Sequence, residues 1–284
     1  MRRVHIVTDS TADLPADVAD QLDIAIVPLK VLFGEEALRD GVDLSNEQFY
    51  RRLVNERAST SQPSPAEFLE VYRALTAAGD SVISLHISAR LSGTVQSATL
   101  ARSMMADAPI DVIDTRLTST ALALIVLAAA QAAAEGADHA AVLALCRRLV
   151  EKTHVYFMVD TLEYLQRGGR IGPAQAFLGS ILSIKPVLCL KDGVVTPVEK
   201  VRGRAKALES LVRIVTEARG AQGSPRCGVV WGNDAALRDQ LLRQLNDALG
   251  EPPYVVCQAG AIIGSHVGPG VVGIAFHSAA AAEP

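Results

Sequence analysis

Aromatic side chains are scarce in this sequence. They make up 4% of the 284 residues, so stacking on bases or sugar rings is not expected to be the main mode of recognition. Positive charge is not in excess either, because 27 lysines and arginines stand against 31 acidic residues, a formal net charge of −4. Both observations argue against a nucleic-acid partner.

Clustered cysteines and metal-ligand spacings are also missing. The four cysteines, Cys146, Cys189, Cys227 and Cys257, lie far apart and form no CxxC pair. No trio of histidine, cysteine and carboxylate residues has the spacing of a metal site. Isolated cysteines are typical of reduced core thiols, so we predict a cytoplasmic protein with no metal and no cofactor.

Signals for export and for membrane insertion are weak. The first residues, MRRVHIVTDS, pass directly into a strand pattern without the apolar region of a signal peptide. The apolar run 121–130 is about half of the roughly 20 residues that span a bilayer. This run predicts a buried helix, and we expect at most transient membrane contact.

Two short motifs of nucleotide-binding and hydrolytic enzymes are absent. No GxxxxGK[ST] segment occurs, which excludes a P-loop in this chain. No GxSxG segment occurs, since Ser92 has a glycine on one side only.

The sequence is 49% apolar and 20% charged, and these fractions are typical of a globular chain with a large core. The first half alternates short apolar strands with helical patterns, which predicts a parallel α/β sheet. The second half contains a hairpin, KPVLCLKDGVVTPVEKV, turning through Asp192 and Gly193. We therefore predict two domains, an α/β domain over 1–152 and an α+β domain over 153–284.

Polar residues mark the starts of several helices. Ser45 and Ser64 are each followed three residues later by Gln or Glu, the capping-box pattern. Pro15 and Pro65 are suited to first helical positions. Within TSQPSP, Ser64 and Pro65 thus begin a helix, whereas the residues before Pro63 are held extended and can point hydroxyl groups at a ligand.

Two polar loops follow predicted strands, where open parallel sheets bind ligands. In VTDSTADLP, Asp13 either belongs to such a site or caps the next helix. In LSGT, the hydroxyls of Ser92 and Thr94 beside helix-start N–H groups suit a carboxylate or phosphate, although helix capping explains them equally well.

Three basic or histidine-containing segments are further candidates. Arg167 and Arg170 in RGGRIG, and Arg202 in KVRGRAKAL, either grip an anion or are solvated loop residues. His266 lies in the glycine-rich segment GSHVGPGVVGIAF, which predicts a polar, flexible loop in which a hydrogen-bonding or proton-shuttling role fits.

Taken together, these motifs resemble the DegV family. The resemblance covers the chain end to end, because seven motifs occur in the family's order: VTDSTADLP, TSQPSP, LSGTVQSA, VIDT, LEYLQRGGRIG, SIKPVL and HVGPGVVGIAF. It implies a two-domain α/β protein that encloses one long-chain fatty acid between its domains. It also implies the non-catalytic, lipid-carrying role in a bacterial fatty-acid kinase, whose separate ATP-binding subunit phosphorylates the carboxylate for phospholipid synthesis.

The resemblance also implies roles for individual residues. It assigns Thr60 and Ser92 to the ligand carboxylate, with Ser61 and Thr94 as supporting donors. The positions that match its phosphate-handling or kinase-facing region are Arg170, Arg202 and His266.

Elementary chemistry agrees with this division of roles. A carboxylate beside an apolar tunnel needs hydrogen-bond donors to offset its desolvation. Hydroxyls supply donors without a fixed countercharge and leave the carboxylate able to act as a nucleophile, while arginines near the mouth neutralise incoming phosphate. The sequence departs from the family in RLTSTALALIVL, where glycines are expected. Bulk in this helix would alter acyl selectivity if the helix lined the tunnel.

Two other functions compete with the fatty-acid carrier. One is a hydrolase of a lipid ester or phosphoester, with Ser92 as nucleophile and His266 as base, which requires the two within hydrogen-bond reach. The other keeps the fold and binds a different amphiphilic carboxylate, such as a sterol acid or a retinoid-like molecule.

Overall fold

The computed structural model describes residues 2–105, 107–179, 184–222 and 225–282. Ser183 of the SIKPVL motif therefore lies outside the described residues. The strands are β1 (Val4–Asp9), β2 (Ala25–Val27), β3 (Lys30–Phe33), β4 (Glu36–Arg39), β5 (Ala58–Ser61), β6 (Ser81–His86), β7 (Ile110–Asp114), β8 (His154–Met158), β9 (Ile184–Lys191), β10 (Val194–Arg202), β11 (Pro225–Trp231), β12 (Val255–Gln258) and β13 (Val272–Ser278).

Helices connect most of these strands. They are α1 (Ala16–Gln21), α2 (Asn46–Leu53), α3 (Pro65–Thr76), α4 (Thr94–Ser103), α5 (Ser119–Ala134), α6 (His139–Lys152), α7 (Glu163–Arg167), α8 (Arg204–Gln222), α9 (Ala235–Leu249) and α10 (Ala261–Val267). Short 3-10 helices lie at Ser10–Ala12, Gly172–Phe177 and Ala279–Ala282.

The strands of the described ranges form three sheets. The first is parallel, in the order β2-β1-β6-β7, and the second is mixed, in the order β10-β9-β8-β13-β11-β12. The fold class predicted from the sequence, a parallel α/β part followed by a part with hairpin pairing, is confirmed. The predicted hairpin is β9–β10, with Val194 opposite Lys191.

The third sheet, β4-β3-β5, is antiparallel and was not predicted. It arises because Pro28 interrupts the extended stretch DIAIVPLKVLF, so β2 joins the parallel sheet while β3 leaves it. Proline lacks the N–H that a continuous central strand needs. Strand β5 of this sheet carries Thr60, one of the residues that the sequence predicts to bind the ligand.

Local capping chemistry sets the ends of two predicted helices. Both capping boxes are present: the Gln48 N–H donates to Ser45 Oγ over 3.3 Å, and Glu67 accepts from the Ser64 N–H over 2.7 Å. Pro65 is the first residue of α3, as predicted. The prediction for Pro15 was wrong, because this proline precedes α1, whose first residue is Ala16.

Helix α5 is the apolar centre of the molecule. Residues 119–130 are all buried, because α5 packs on β1 and β6 on one side and on β11, β12 and β13 on another. A helix that is apolar all round needs such burial on every side. Across the described part of the chain, no helix combines the length and the apolar character required to cross a membrane.

The two halves of the chain are distinct but interleaved. Every strand of the mixed sheet lies at or after His154, whereas α5 of the first half lies beneath this sheet. In return, α10 of the second half packs against α2, β3 and β5. The boundary between 152 and 153 stays a prediction.

Candidate functional site

A cavity of about 430 Å³ lies between the two halves, within the size range of small-molecule sites. Its interior is apolar. The mixed sheet contributes five lining side chains, Val155, Phe157, Leu190, Val195 and Val230. Further apolar side chains close the other walls, namely Leu29, Ile87, Leu91, Leu165, Ile262, Ile263, Val267 and Val271. A molecule with a long apolar body fits such walls.

Six of the eight polar side chains that line the cavity form a group that we call the polar mouth, which does not include Thr118 and Ser119. It consists of Thr60, Ser61, Gln62, Ser92, Arg170 and His266. Ser61, Gln62 and Arg170 are exposed, so the polar mouth is the end of the cavity that meets solvent. Four elements therefore meet at this end: β5, the loop before α4, the loop after α7, and α10.

Thr60 and His266 are in direct contact. Thr60 Oγ1 lies 2.9 Å from His266 Nε2, while His266 Nδ1 is buried with no hydrogen-bond partner among the described residues. An orphaned N–H is rarer in proteins than an orphaned acceptor, which favours the tautomer with its proton on Nε2. In that tautomer Nε2–H donates to Thr60 Oγ1 and leaves the Thr60 hydroxyl proton available to a ligand.

His266 does not lie in a loop, so that part of the sequence prediction was wrong. It belongs to the last turn of α10, which ends at Gly268 with a φ of 79°. The setting is also tight, because a Cβ placed on Gly168 would collide with His266 Nδ1. Burial, followed by the nearby positive charge of Arg170, lowers the pKa of His266 to about 4. The imidazole is therefore neutral near pH 7 and supplies no countercharge.

The Ser92 hydroxyl also has a hydrogen-bonding neighbour, as the Thr60 hydroxyl has in His266. Ser92 Oγ lies 2.9 Å from Thr94 Oγ1, and the Thr94 N–H donates to Ser92 Oγ over 3.4 Å. Thr94 is buried and does not line the cavity, whereas Ser92 does. Gly93 rather than Ser92 is the N-cap residue of α4, although Ser92 Oγ accepts from the first N–H of the helix. When Thr94 donates to it, the Ser92 hydroxyl can donate to a ligand.

The arginines predicted from the sequence separate in space. Arg170 joins two loops of the mouth, since its Nε donates to the Leu91 carbonyl over 3.0 Å and its Nη1 to the Gly168 carbonyl over 2.7 Å. Arg202 does not line the cavity: it is exposed at the end of β10 remote from Val195, which does. The structure therefore brings Arg170 and His266 together and leaves Arg202 elsewhere on the surface.

Gln62 is a mouth residue that the sequence interpretation missed. Its Nε2 donates to Ser97 Oγ of α4 over 3.2 Å, and its amide oxygen occupies the place that a Cβ of residue 93 would need. Glycine at position 93 leaves room for this close approach of the Gln62 amide. The available signal was the period of two in the extended segment, which relates Gln62 to Thr60.

The VTDSTADLP loop serves the site indirectly. Asp13 does not cap α1, so that alternative was wrong. Its carboxylate accepts from Ser119 Oγ over 2.5 Å and from the Gly260 N–H over 2.9 Å. Asp9 instead accepts from Thr11 and lies 2.9 Å from His86 Nδ1 in a fully buried cluster. None of these side chains lines the cavity except that of Ser119.

The Ala- and Leu-rich start of α5 has little contact with the cavity. Only Thr118 and Ser119 of this segment line it, while the following residues pack in the core. The bulk that replaces glycine there therefore does not narrow the cavity directly.

The hydrolase hypothesis has no support in this geometry. His266 contacts Thr60 rather than Ser92, and its second nitrogen has no acidic partner in the described ranges. Those ranges also contain no group of three His, Cys, Asp or Glu side chains placed to hold a metal ion.

Fold and cavity together define a class: a two-part α/β protein with a mostly apolar cavity between its halves and a polar mouth that opens to solvent. Comparison with known proteins identifies one family. A family model described as an uncharacterised protein of the DegV family matches residues 3–279. The chain belongs to the DegV family, which confirms the resemblance read from its motifs.

Three relatives illustrate the match. A DegV domain-containing protein of Streptomyces coelicolor is 41% identical over 281 residues, covering 98% of this chain and 99% of that protein. A DegV family protein of Thermus thermophilus, described as binding fatty acid, superposes with a TM-score of 0.91 at 39% identity, covering 97% and 99%. A stearic-acid-binding protein of Eubacterium ventriosum superposes with a TM-score of 0.90 at 27% identity, covering 98% of each chain.

Proposed function

We propose that this protein holds one long-chain fatty acid in the cavity, with the carboxylate at the polar mouth. The observation that carries the proposal is the pairing of an apolar interior with two hydroxyls, Thr60 and Ser92, each supported by a donor behind it. Fatty-acid binding by DegV proteins of known structure supports the ligand class.

The uncharged hydrogen-bond donors at the polar mouth also suit a carboxylate that acts as a nucleophile. Thr60 and Ser92 donate without carrying charge, and the neutral His266 acts through Thr60. Their hydrogen bonds offset the desolvation of the carboxylate. Its oxygen lone pairs are not neutralised by a bidentate guanidinium, so the carboxylate keeps its nucleophilicity.

The second part of the proposal is a partner. We infer that a separate ATP-binding kinase subunit docks at the mouth and phosphorylates the carboxylate, giving an acyl-phosphate for phospholipid synthesis in the cytoplasm. The exposure of Ser61, Gln62 and Arg170 supports this, because an approaching subunit can reach them. Arg170 stands where it can neutralise a transferred phosphate, and Arg202 is assigned to the kinase-facing surface beyond the cavity.

Organic extraction of freshly purified protein, followed by mass spectrometry, tests the ligand. We expect one fatty acid per chain, and a sterol acid or an empty cavity would refute the proposal. A variant with the cavity filled, Val230→Trp, serves as the control that should carry no lipid.

Kinase partnership needs a separate test. Loaded protein, ATP and the cognate kinase subunit should together form acyl-phosphate, and omission of any one should abolish it. Hydrolysis of a model ester by this chain alone, lost in Ser92→Ala, would instead establish the hydrolase.

A further inference from the structure

Helix α10 is short but carries much of the site. It has seven residues, and Ile262, Ile263 and His266 line the cavity. A helix of this length has little stability of its own, so tertiary contacts must hold it in place. The position of His266 beside Thr60 therefore depends on whatever fixes the start of α10.

Two buried carboxylates of the first half of the chain meet that start. Asp13 Oδ1 accepts from the Gly260 N–H over 2.9 Å, and Asp40 Oδ1 accepts from the Ala261 N–H over 3.1 Å. Asp40 also accepts hydrogen bonds from the Ile262 N–H and from Ser10. The N–H groups of the capping residue Gly260 and of the first residue of α10 thus donate to side chains more than 200 positions away in sequence.

The fit between these carboxylates and the backbone is close. A Cβ placed on Gly260 would lie 3.0 Å from Asp13 Oδ1 and 3.4 Å from both carboxylate oxygens of Asp40. Asp13 and its partner Ser119 both have left-handed backbones, with φ values of 53° and 52°. A non-glycine residue in this conformation carries conformational free energy that tertiary contacts must offset. Such residues therefore occur where the surrounding structure requires one particular backbone position.

Helix capping alone does not explain the choice of residues. A single serine or asparagine would be enough to cap the helix. Burial instead raises the pKa of both carboxyls, that of Asp13 well above its ordinary value and that of Asp40 to about 6, a cost that capping does not require. Tyr50 adds a third contact, because its hydroxyl donates to the Ala259 carbonyl over 2.8 Å. The start of α10 is therefore held from several directions by the first half of the chain.

We propose that Asp13 and Asp40 are positioning residues of the fatty-acid site: they fasten the start of α10 to the first half of the chain and thereby set His266 beside Thr60. The inference rests on the proposed function, since it concerns the same site. It gives the two carboxylates a role in binding although neither lines the cavity.

Asp13→Asn and Asp40→Asn test this, because asparagine keeps the shape but has an NH2 donor in place of one acceptor oxygen, whereas each carboxyl accepts from at least two donors. We expect amide hydrogen exchange in 261–267 to become at least tenfold faster in each variant. The dissociation constant for oleate, measured by calorimetry, should rise at least fivefold. Asp138→Asn is the matched control, since Asp138 caps α6 through the Ala141 N–H, 2.8 Å away, and α6 does not line the cavity.

A spectroscopic signal separates positioning from general stability. The ¹⁵N shifts of the His266 ring report which nitrogen carries the proton, and without urea, where each variant is fully folded, they should move in both variants. The inference would be overturned if amide exchange in α10 of both variants were as slow as in wild type and their oleate affinities were within twofold of the wild-type value. If wild-type protein does not bind oleate, the proposed function fails, whereas the exchange comparison still decides whether the carboxylates hold α10.

Discussion

Removal of the Thr60 hydroxyl is the most direct perturbation of the polar mouth. Thr60→Val keeps the shape of the side chain and deletes both the bond to His266 Nε2, 2.9 Å long, and the proposed bond to the ligand. A hydrogen bond to a charged group contributes about 1.5–3 kcal/mol. Since about 1.4 kcal/mol corresponds to a factor of ten, the dissociation constant for oleate should rise roughly 10- to 150-fold.

The same substitution should lower the stability of the unliganded protein. His266 would then have neither ring nitrogen bonded, because Nδ1 already lacks a partner among the described residues. Leaving a buried polar group unsatisfied costs about 1–3 kcal/mol, measurable as a smaller free energy of unfolding in urea. Thr60→Ser retains the hydroxyl and is the control. Oleate binding by Thr60→Val within twofold of that control would refute the role of Thr60.

Three further outcomes follow from contacts around α10. Gly264→Ala would place a Cβ 2.6 Å from the Phe49 ring and 3.0 Å from the Tyr50 hydroxyl, so overpacking should cost about 1–3 kcal/mol of unfolding free energy, whereas an unchanged urea midpoint would contradict this packing. Burial raises the pKa of Asp40 to about 6, so on acidification the folded state takes up this proton before the unfolded chain does. Acidification from pH 6 to 4 should therefore add about 2 kcal/mol of stability that Asp40→Asn lacks. The pKa of His266, lowered to about 4, acts in the opposite direction, because the unfolded chain takes up this proton first: stability is lost as pH falls from 6.5 to 4, and His266→Gln should lose about 3 kcal/mol less than wild type over that range. Urea unfolding at several pH values measures both slopes, and parallel curves for wild type and either variant would rule out the corresponding titration.

Much of the local structure could be predicted from neighbouring residues. The two capping boxes depend on a serine and the residue three positions later. The β9–β10 hairpin follows from Asp192 and Gly193, whose φ values of 51° and 80° suit a tight turn. Short-range patterns predict short-range structure because both partners lie within one turn of the chain.

The structure of α10 could not be predicted in the same way. Its glycines indicated a loop, yet Gly264 is needed because Phe49 and Tyr50 pack against it, and Gly268 ends the helix. Asp13 looked like the cap of the next helix, whereas its carboxylate bonds Ser119 and Gly260. In each case the partner lies far away in sequence, where no local pattern reports it.

The sequence by itself determined the family and the alternation of strands and helices, and it singled out the hydroxyls of Thr60 and Ser92, which line the cavity. These properties can be predicted because motifs and hydrophobic periodicity are visible in a single sequence. Tertiary structure alone decided that Gln62 joins the mouth, that Arg202 stands apart from it, and that two carboxylates hold the helix of His266. The physical reason is that a hydrogen bond acts over about 3 Å, and only folding brings residues such as Asp40 and Ala261 within that distance.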